Sequence, residues 1–265
     1  FIFPLGMGMF GAALATCVAP CIGILISSTH FLRRKNSFRP VRCAFSGKQT
    51  RGILSLGVSS LITEVSSGIV MLLFNQILLS LSGNVGVAAY GIIANLALIV
   101  VSIFTGVAQG IQPIVSRSFG SGQMRHVKQI FHYGVITAAA FGLLFLGIGW
   151  FFSQPIVGIF NQENNLEMER LASQGLPLYF LAFPMMGVNI LASSYLASLS
   201  KGGPAFVLSV LRGAAAVIPA VLLLSRLFGI TGVWLAVPCA EALTFLVFLA
   251  MLPFCFRRPQ KGAGA

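Results

Sequence analysis

Long apolar runs alternate with short polar ones along this chain. The apolar stretches fall at 5–29, 53–81, 86–113, 132–153, 173–199, 204–225 and 230–255. Each is long enough to cross a bilayer as a helix, which takes about 20 mainly apolar residues. The polar intervals differ in kind. Ser80-Leu81-Ser82-Gly83-Asn84 reads as a tight turn, and 30–52 as a long basic loop. Ser116 to Phe131 reads as a polar, basic loop and Asn161 to Arg170 as an acidic one. Lys201-Gly202-Gly203-Pro204 is a short break, with Pro204 suited to the first turn of the next helix. The pattern predicts an all-α integral membrane protein, a polytopic helix bundle.

Two of these runs open alike. Gly8-Met9-Phe10-Gly11-Ala12-Ala13-Leu14-Ala15 aligns with Gly229-Ile230-Thr231-Gly232-Val233-Trp234-Leu235-Ala236, with identities at Gly8/Gly229, Gly11/Gly232, Leu14/Leu235 and Ala15/Ala236. Both runs end in basic clusters, Arg33-Arg34-Lys35 and Arg257-Arg258. A duplicated multi-helix unit produces such a match, and internal repeats mark secondary transporters. Chance similarity between apolar helices is the competing account. On the repeat reading, 1–29 is the last helix of one lobe, 30–52 a basic linker, 53–256 a complete six-helix lobe and 257–265 a tail. The chain is then expected to be a fragment whose preceding lobe is missing.

Composition agrees with lipid as the solvent. Hydrophobic residues make up 57% of the chain and charged residues 8%, and mean hydropathy is +0.93. A soluble domain carries roughly a quarter charged residues. The net charge of +12 is distributed by side. If the seven helices alternate, fourteen Lys and Arg fall on one side, and only Arg170 and Arg226 on the other, beside Glu163, Glu167 and Glu169. The positive-inside rule makes the basic loops and the C-terminus cytoplasmic in a cell (plasma or inner) membrane. The charge is therefore topology, and nucleic acid is not a partner. The five cysteines lack metal-ligand spacing and read as small buried hydrophobes. No nucleophile–base set, phosphate loop or metal cluster argues for an enzyme, so no catalytic residue and no cofactor are assigned.

Charges deep in a bilayer are costly and are functional candidates by default. Glu64 lies roughly 16 Å into its span at 1.5 Å per residue, near the midplane. It shares a helical face with Gly68, Met71 and Asn75, and Ser60 and Ser67 add polarity. Such a stripe suits a cavity wall, where a titrating carboxylate could couple an ion; glue to a neighbouring helix is the plainer account. Glu241 and Arg212 lie on adjacent spans, at depths differing by roughly 9 Å. An ion pair is the simpler expectation, with a cation or substrate role for Glu241 the other. Gln112, Tyr179 and Asn189 are further cavity-lining candidates, along with Asn95, Gln109 and Tyr195. Each alone is more often interhelical glue.

The third span ends in Gly110-Ile111-Gln112-Pro113-Ile114-Val115-Ser116, followed by Phe119-Gly120. This resembles the Gly-x-Gln-Pro signature of multidrug and toxic compound extrusion (MATE) transporters, with Gly110, Gln112, Pro113 and Ser116 as the motif. Ala88-Ala89-Tyr90-Gly91-Ile92 and Gly232-Val233-Trp234-Leu235-Ala236 resemble the same family. The resemblance implies two six-helix lobes and export of amphiphilic or cationic drugs against H⁺ or Na⁺. It matches Glu64 to an acid used for coupling by several members. Some members also carry an Asp in helix ten; here 173–199 has no acid, which leans toward H⁺. A flippase for lipid or lipid-linked oligosaccharide within the same superfamily is a second reading. Its cavity should carry several cations, and Arg212 is the only basic residue deep in a span. A seven-helix receptor is a third, disfavoured by the repeat.

Overall fold

A computed structural model describes residues 7–32, 47–161, 165–199 and 201–255. The chain divides into two units, Phe1–Arg51 and Gly52–Ala265. In the first, α1 is Gly8–Leu32. Most of the sequence-assigned linker, 33–46, and the tail from 256 lie outside the described residues.

Most described residues of the second unit are helical, and short turns and breaks separate the helices. A helical stretch Gly47–Gly120 is broken at Gly83 (φ 61°, ψ −155°), giving α2 (47–82) and α3 (84–120). That backbone region is open essentially to glycine alone. The break is a reversal: Phe74 and Tyr90 stack with ring centroids 5.3 Å apart, where a straight helix would separate them by about 24 Å. Next come α4 (Met124–Phe151), α5 (Ser153–Phe160), α6 (Leu166–Phe180) and α7 (Phe183–Ser198). The helices α6 and α7 meet at a bend of 49° and together are long and apolar enough for one broken span. Pro184 occupies the first turn of α7, where its missing N–H costs nothing. α8 (Gly202–Val210) runs into a π-helical turn, Leu211–Ala215. A final stretch, Val217–Cys255, is broken at Gly229 (φ 58°, ψ −133°) into α9 (217–228) and α10 (230–255).

The two glycine breaks are built alike. A Cβ on Gly86 would sit 3.2 Å from the Leu78 carbonyl oxygen, and one on Gly232 would collide with that of Leu224. In both, the second glycine of a Gly-x-x-Gly presses against a carbonyl eight residues earlier. Gly8 also has positive φ, 51°, matching Gly229 at 58° in the aligned repeat. The turn predicted around Gly83 is therefore present, and the repeat positions share a backbone conformation.

Several expectations shift. The segment 116–131 is mostly helix: α3 runs through Pro113 to Gly120, and α4 begins at Met124. The acidic segment 161–170 likewise enters α6 early. Asn165 caps it by accepting from the Glu167 and Met168 amides at 3.1 Å, and Glu167 and Glu169 sit in the first turn, where the helix dipole favours acids. α5 was not expected as a separate element. The cysteines are not uniformly buried: Cys17, Cys21 and Cys239 are exposed, as apolar groups on a lipid-facing surface can be.

α7 is apolar around its circumference and is the buried centre of the second unit, packing on α4, α8 and α10. Small residues permit the close approaches. A Cβ on Gly142 of α4 would lie 2.5 Å from Pro184 Cα, and one on Gly187 of α7 would lie 2.7 Å from the Phe104 ring. Aromatic rings fill the rest: Phe104, Phe145, Phe180 and Phe183 cluster between α3, α4, α6 and α7, while Tyr90 stacks over Trp234. Large apolar side chains such as Leu72, Leu143 and Leu246 point outward. That surface fits hydrocarbon, which needs no polar rim.

Candidate functional site

Three polar side chains meet in the interior of the second unit. Asn189 is fully buried at the middle of α7, and Glu241 of α10 is 3% exposed. The Asn189 amide nitrogen donates to Glu241 Oε2 at 2.7 Å and to the Glu241 main-chain oxygen at 2.9 Å. Arg212 Nε donates to Glu241 Oε1 at 3.1 Å. Each carboxylate oxygen thus has a donor, one neutral and one cationic, which is what keeps a charge tolerable away from water.

The local sequence explains the aim of each group. Arg212 stands on the π-helical turn, whose wider backbone departs from the α-helical register, and its side chain stays a quarter exposed. π-turns inside helices often occur at functional positions. Its long side chain reaches down to the deeper Glu241. Asn189 Oδ1 has no hydrogen-bond partner although it is buried, so one acceptor beside the carboxylate is unsatisfied. A buried orphan acceptor is costly and marks a place where a proton, water or small cation would be welcome. Tyr179 of α6 is buried close enough to feel the charges of Glu241 and Arg212.

The sequence-assigned residues therefore separate into two sets. Tyr179, Asn189 and Glu241 gather with Arg212 in the core. Glu64, Gly68 and Met71 form an exposed strip on α2, with Asn75 half-buried at its end. A side chain added at Gly68 would meet nothing, so this face is open. On α3, Gln112 is half-buried, while Gly110, Pro113 and Ser116 are exposed. Asn95, also a cavity-lining candidate, donates to the Gly91 carbonyl at 2.8 Å one turn back on its own helix, a bond that joins no second helix. The π-turn under Arg212 went unforeseen; no residue type in Leu211–Ala215 signals it. Among the described residues, no group of three or more His, Cys, Asp or Glu is placed to hold a metal ion.

Residues 57–223 match the MatE family model. The chain belongs to the MatE family. Curated MatE relatives include the multidrug export protein MepA of Staphylococcus haemolyticus, 26% identical over 94% of this chain and 54% of the relative. MepA of Staphylococcus aureus is 25% identical over 95% of this chain and 55% of the relative. The chain thus spans about half the length of the curated relatives it matches. Solved structures share the fold. An outward-facing multidrug resistance MATE transporter of the MOP superfamily superposes with a TM-score of 0.84 at 18% identity, covering 96% of this chain and 58% of the other. A MOP superfamily transporter from Pyrococcus furiosus superposes at 0.83 and 16% identity, covering 97% and 59%. The MatE chain is accordingly a polytopic helical membrane protein of a transporter family, not an enzyme.

Proposed function

We propose that this chain forms one lobe of a secondary active efflux carrier in the cell membrane, exporting organic cations and other amphiphilic drugs by H⁺- or Na⁺-coupled antiport. The observation that carries the reading is the MatE match over 57–223, supported by a fold shared with MATE transporters along almost the whole chain. Alternating access requires two halves rocking around a shared site. The aligned Gly8 and Gly229, both at positive φ, support a second half of the same design. The basic loops face the cytoplasm in this reading.

Within the lobe the two acids take different parts. Glu64 is exposed beside Gly68, Met71 and Asn75, an arrangement suited to a cavity wall, so it is the acid that exchanges a proton or meets a cationic substrate. Glu241 is already neutralised by Arg212 and capped by Asn189, which suits a fixed internal anchor. Asn189 stands in the broken span 173–199, which has no acid, and this favours H⁺ over Na⁺.

The test uses the longest reading frame that contains this chain. Efflux of a fluorescent cation from vesicles is followed under imposed pH and Na⁺ gradients. Glu64→Gln keeps shape and hydrogen bonding but removes titration. It should cut gradient-driven efflux at least tenfold at normal protein levels, and Glu64→Asp should retain part of the activity. Wild-type rates in the Gln variant would remove Glu64 from coupling.

A further inference from the structure

The cytoplasm-directed end of the lobe, in the orientation proposed above, carries a groove lined by none of the residues assigned to transport. It opens between the start of α4 and the end of α10, has a volume of about 430 Å³ and is lined by Lys128, Phe131, His132, Val135 and Leu252. Lys128, His132 and Val135 follow one another at helical spacing on one face of α4, and Arg125 precedes them by three residues on that face. Arg125, Lys128 and His132 are exposed, whereas Phe131 is buried against Tyr195 (ring centroids 4.2 Å) and Phe248 (6.2 Å). The groove therefore has a basic rim at the helix start and an apolar floor deeper in.

We propose that this groove binds an anionic phospholipid, its phosphate against Lys128 and His132 and an acyl chain along Phe131, Val135 and Leu252. Depth fits. Lys128 lies roughly 6 Å and Val135 roughly 17 Å from the start of α4. The polar zone of a bilayer occupies about the first 6 Å on each side of the hydrocarbon, so Arg125 and Lys128 fall at headgroup level and Val135 at acyl level, with His132, roughly 12 Å from the helix start, below the headgroups between them. Basic pockets between helices at this level suit anionic headgroups. Charge also decides against other occupants. The chain's own tail carries Arg257, Arg258 and Lys261, with no acid after Glu241, so the rim repels it. A second copy docked symmetrically would present the same basic rim and is repelled in the same way.

The test is native mass spectrometry of the 265-residue chain, released from micelles holding equal amounts of phosphatidylglycerol and phosphatidylcholine with identical acyl chains. The wild-type chain should retain phosphatidylglycerol in preference, and raising salt before release should weaken the preference. The double variant Lys128→Gln/His132→Gln should lose about fivefold or more of the preference, roughly the loss expected for removing the Lys128 charge. Lys128→Arg/His132→Lys should keep it. Both positions are exposed, and circular dichroism checks that the variants remain helical. Equal retention of the two lipids by the wild type, or unchanged retention by the Gln variant, would overturn the proposal. So would a dimer that the Gln variant dissolves, which would name a second copy as the occupant. None of these readouts depends on efflux, so this proposal and the transport reading fail separately.

Discussion

Removing Arg212 leaves the Glu241 carboxylate buried with only the Asn189 amide as a donor. Breaking a buried pair by deleting one partner typically costs about 3–5 kcal/mol, whereas replacing both partners with apolar groups of similar volume is often near neutral. Arg212→Ala should therefore lower thermal stability in detergent strongly, and Arg212→Met/Glu241→Leu should recover most of it. Additive losses in that cycle would show that the two residues act independently. How much of this cluster could be read beforehand depends on the quantity asked for. Hydropathy gives depth along a span, so Glu64, Arg212 and Glu241 stood out individually. It does not give azimuth across a bundle. Asn189 is separated from Glu241 by 52 residues, and nothing local says that α7 turns its amide toward α10. The same lack of azimuth hid the separation of Glu64, on an open face, from Tyr179 and Asn189 in the core.

At the scale of elements, apolar runs located the helices but not their ends. Hydropathy falls where a helix leaves hydrocarbon, while the backbone hydrogen-bond ladder continues into the polar zone. Ser116, Arg117 and Ser118 therefore read as loop although α3 runs on to Gly120. Pro113 is carried within α3, and Pro177 within α6, so the hinge of the broken span lies at 181–182 rather than at a proline. Close packing was legible only as an abundance of glycine; which glycines touch backbone was not. Gly142 is the clearest such case, because the neighbouring atoms are Pro184 Cα and N, which cannot rotate aside. Gly142→Ala should push α4 from α7 and destabilise the lobe by about 1–3 kcal/mol. Gly147→Ala, on the same helix with nothing near its added Cβ, should be neutral or slightly stabilising. Thermal unfolding of the two variants side by side checks this, and equal losses would refute the packing account.

For the whole molecule, charge on the connections is the legible variable. If the helices alternate across the membrane, Arg117, Arg125, Lys128 and Lys201, all at or near helix ends, share one side. In a background without native cysteines, Glu167→Cys should react with a membrane-impermeant maleimide in intact cells, and Ser121→Cys only after lysis. The reverse pattern would invert the topology and, with it, the leaflet from which the α4–α10 groove draws lipid.

The opposite end is stitched differently. At Gly83 and Gly229 the chain reverses on a single residue, and the glycine three places on is pressed against a carbonyl of the preceding helix. Such joints have no slack. An inserted tag, an accepted extra residue or a protease needs loose chain to occupy, and neither joint offers any. Gly122, also at positive φ, lies in the exposed turn between α3 and α4, where neither it nor Gly120 is pressed against a carbonyl. Over time this lobe should gain and lose residues between α3 and α4, while the spacing between its paired helices at Gly83 and Gly229 stays constant to the residue.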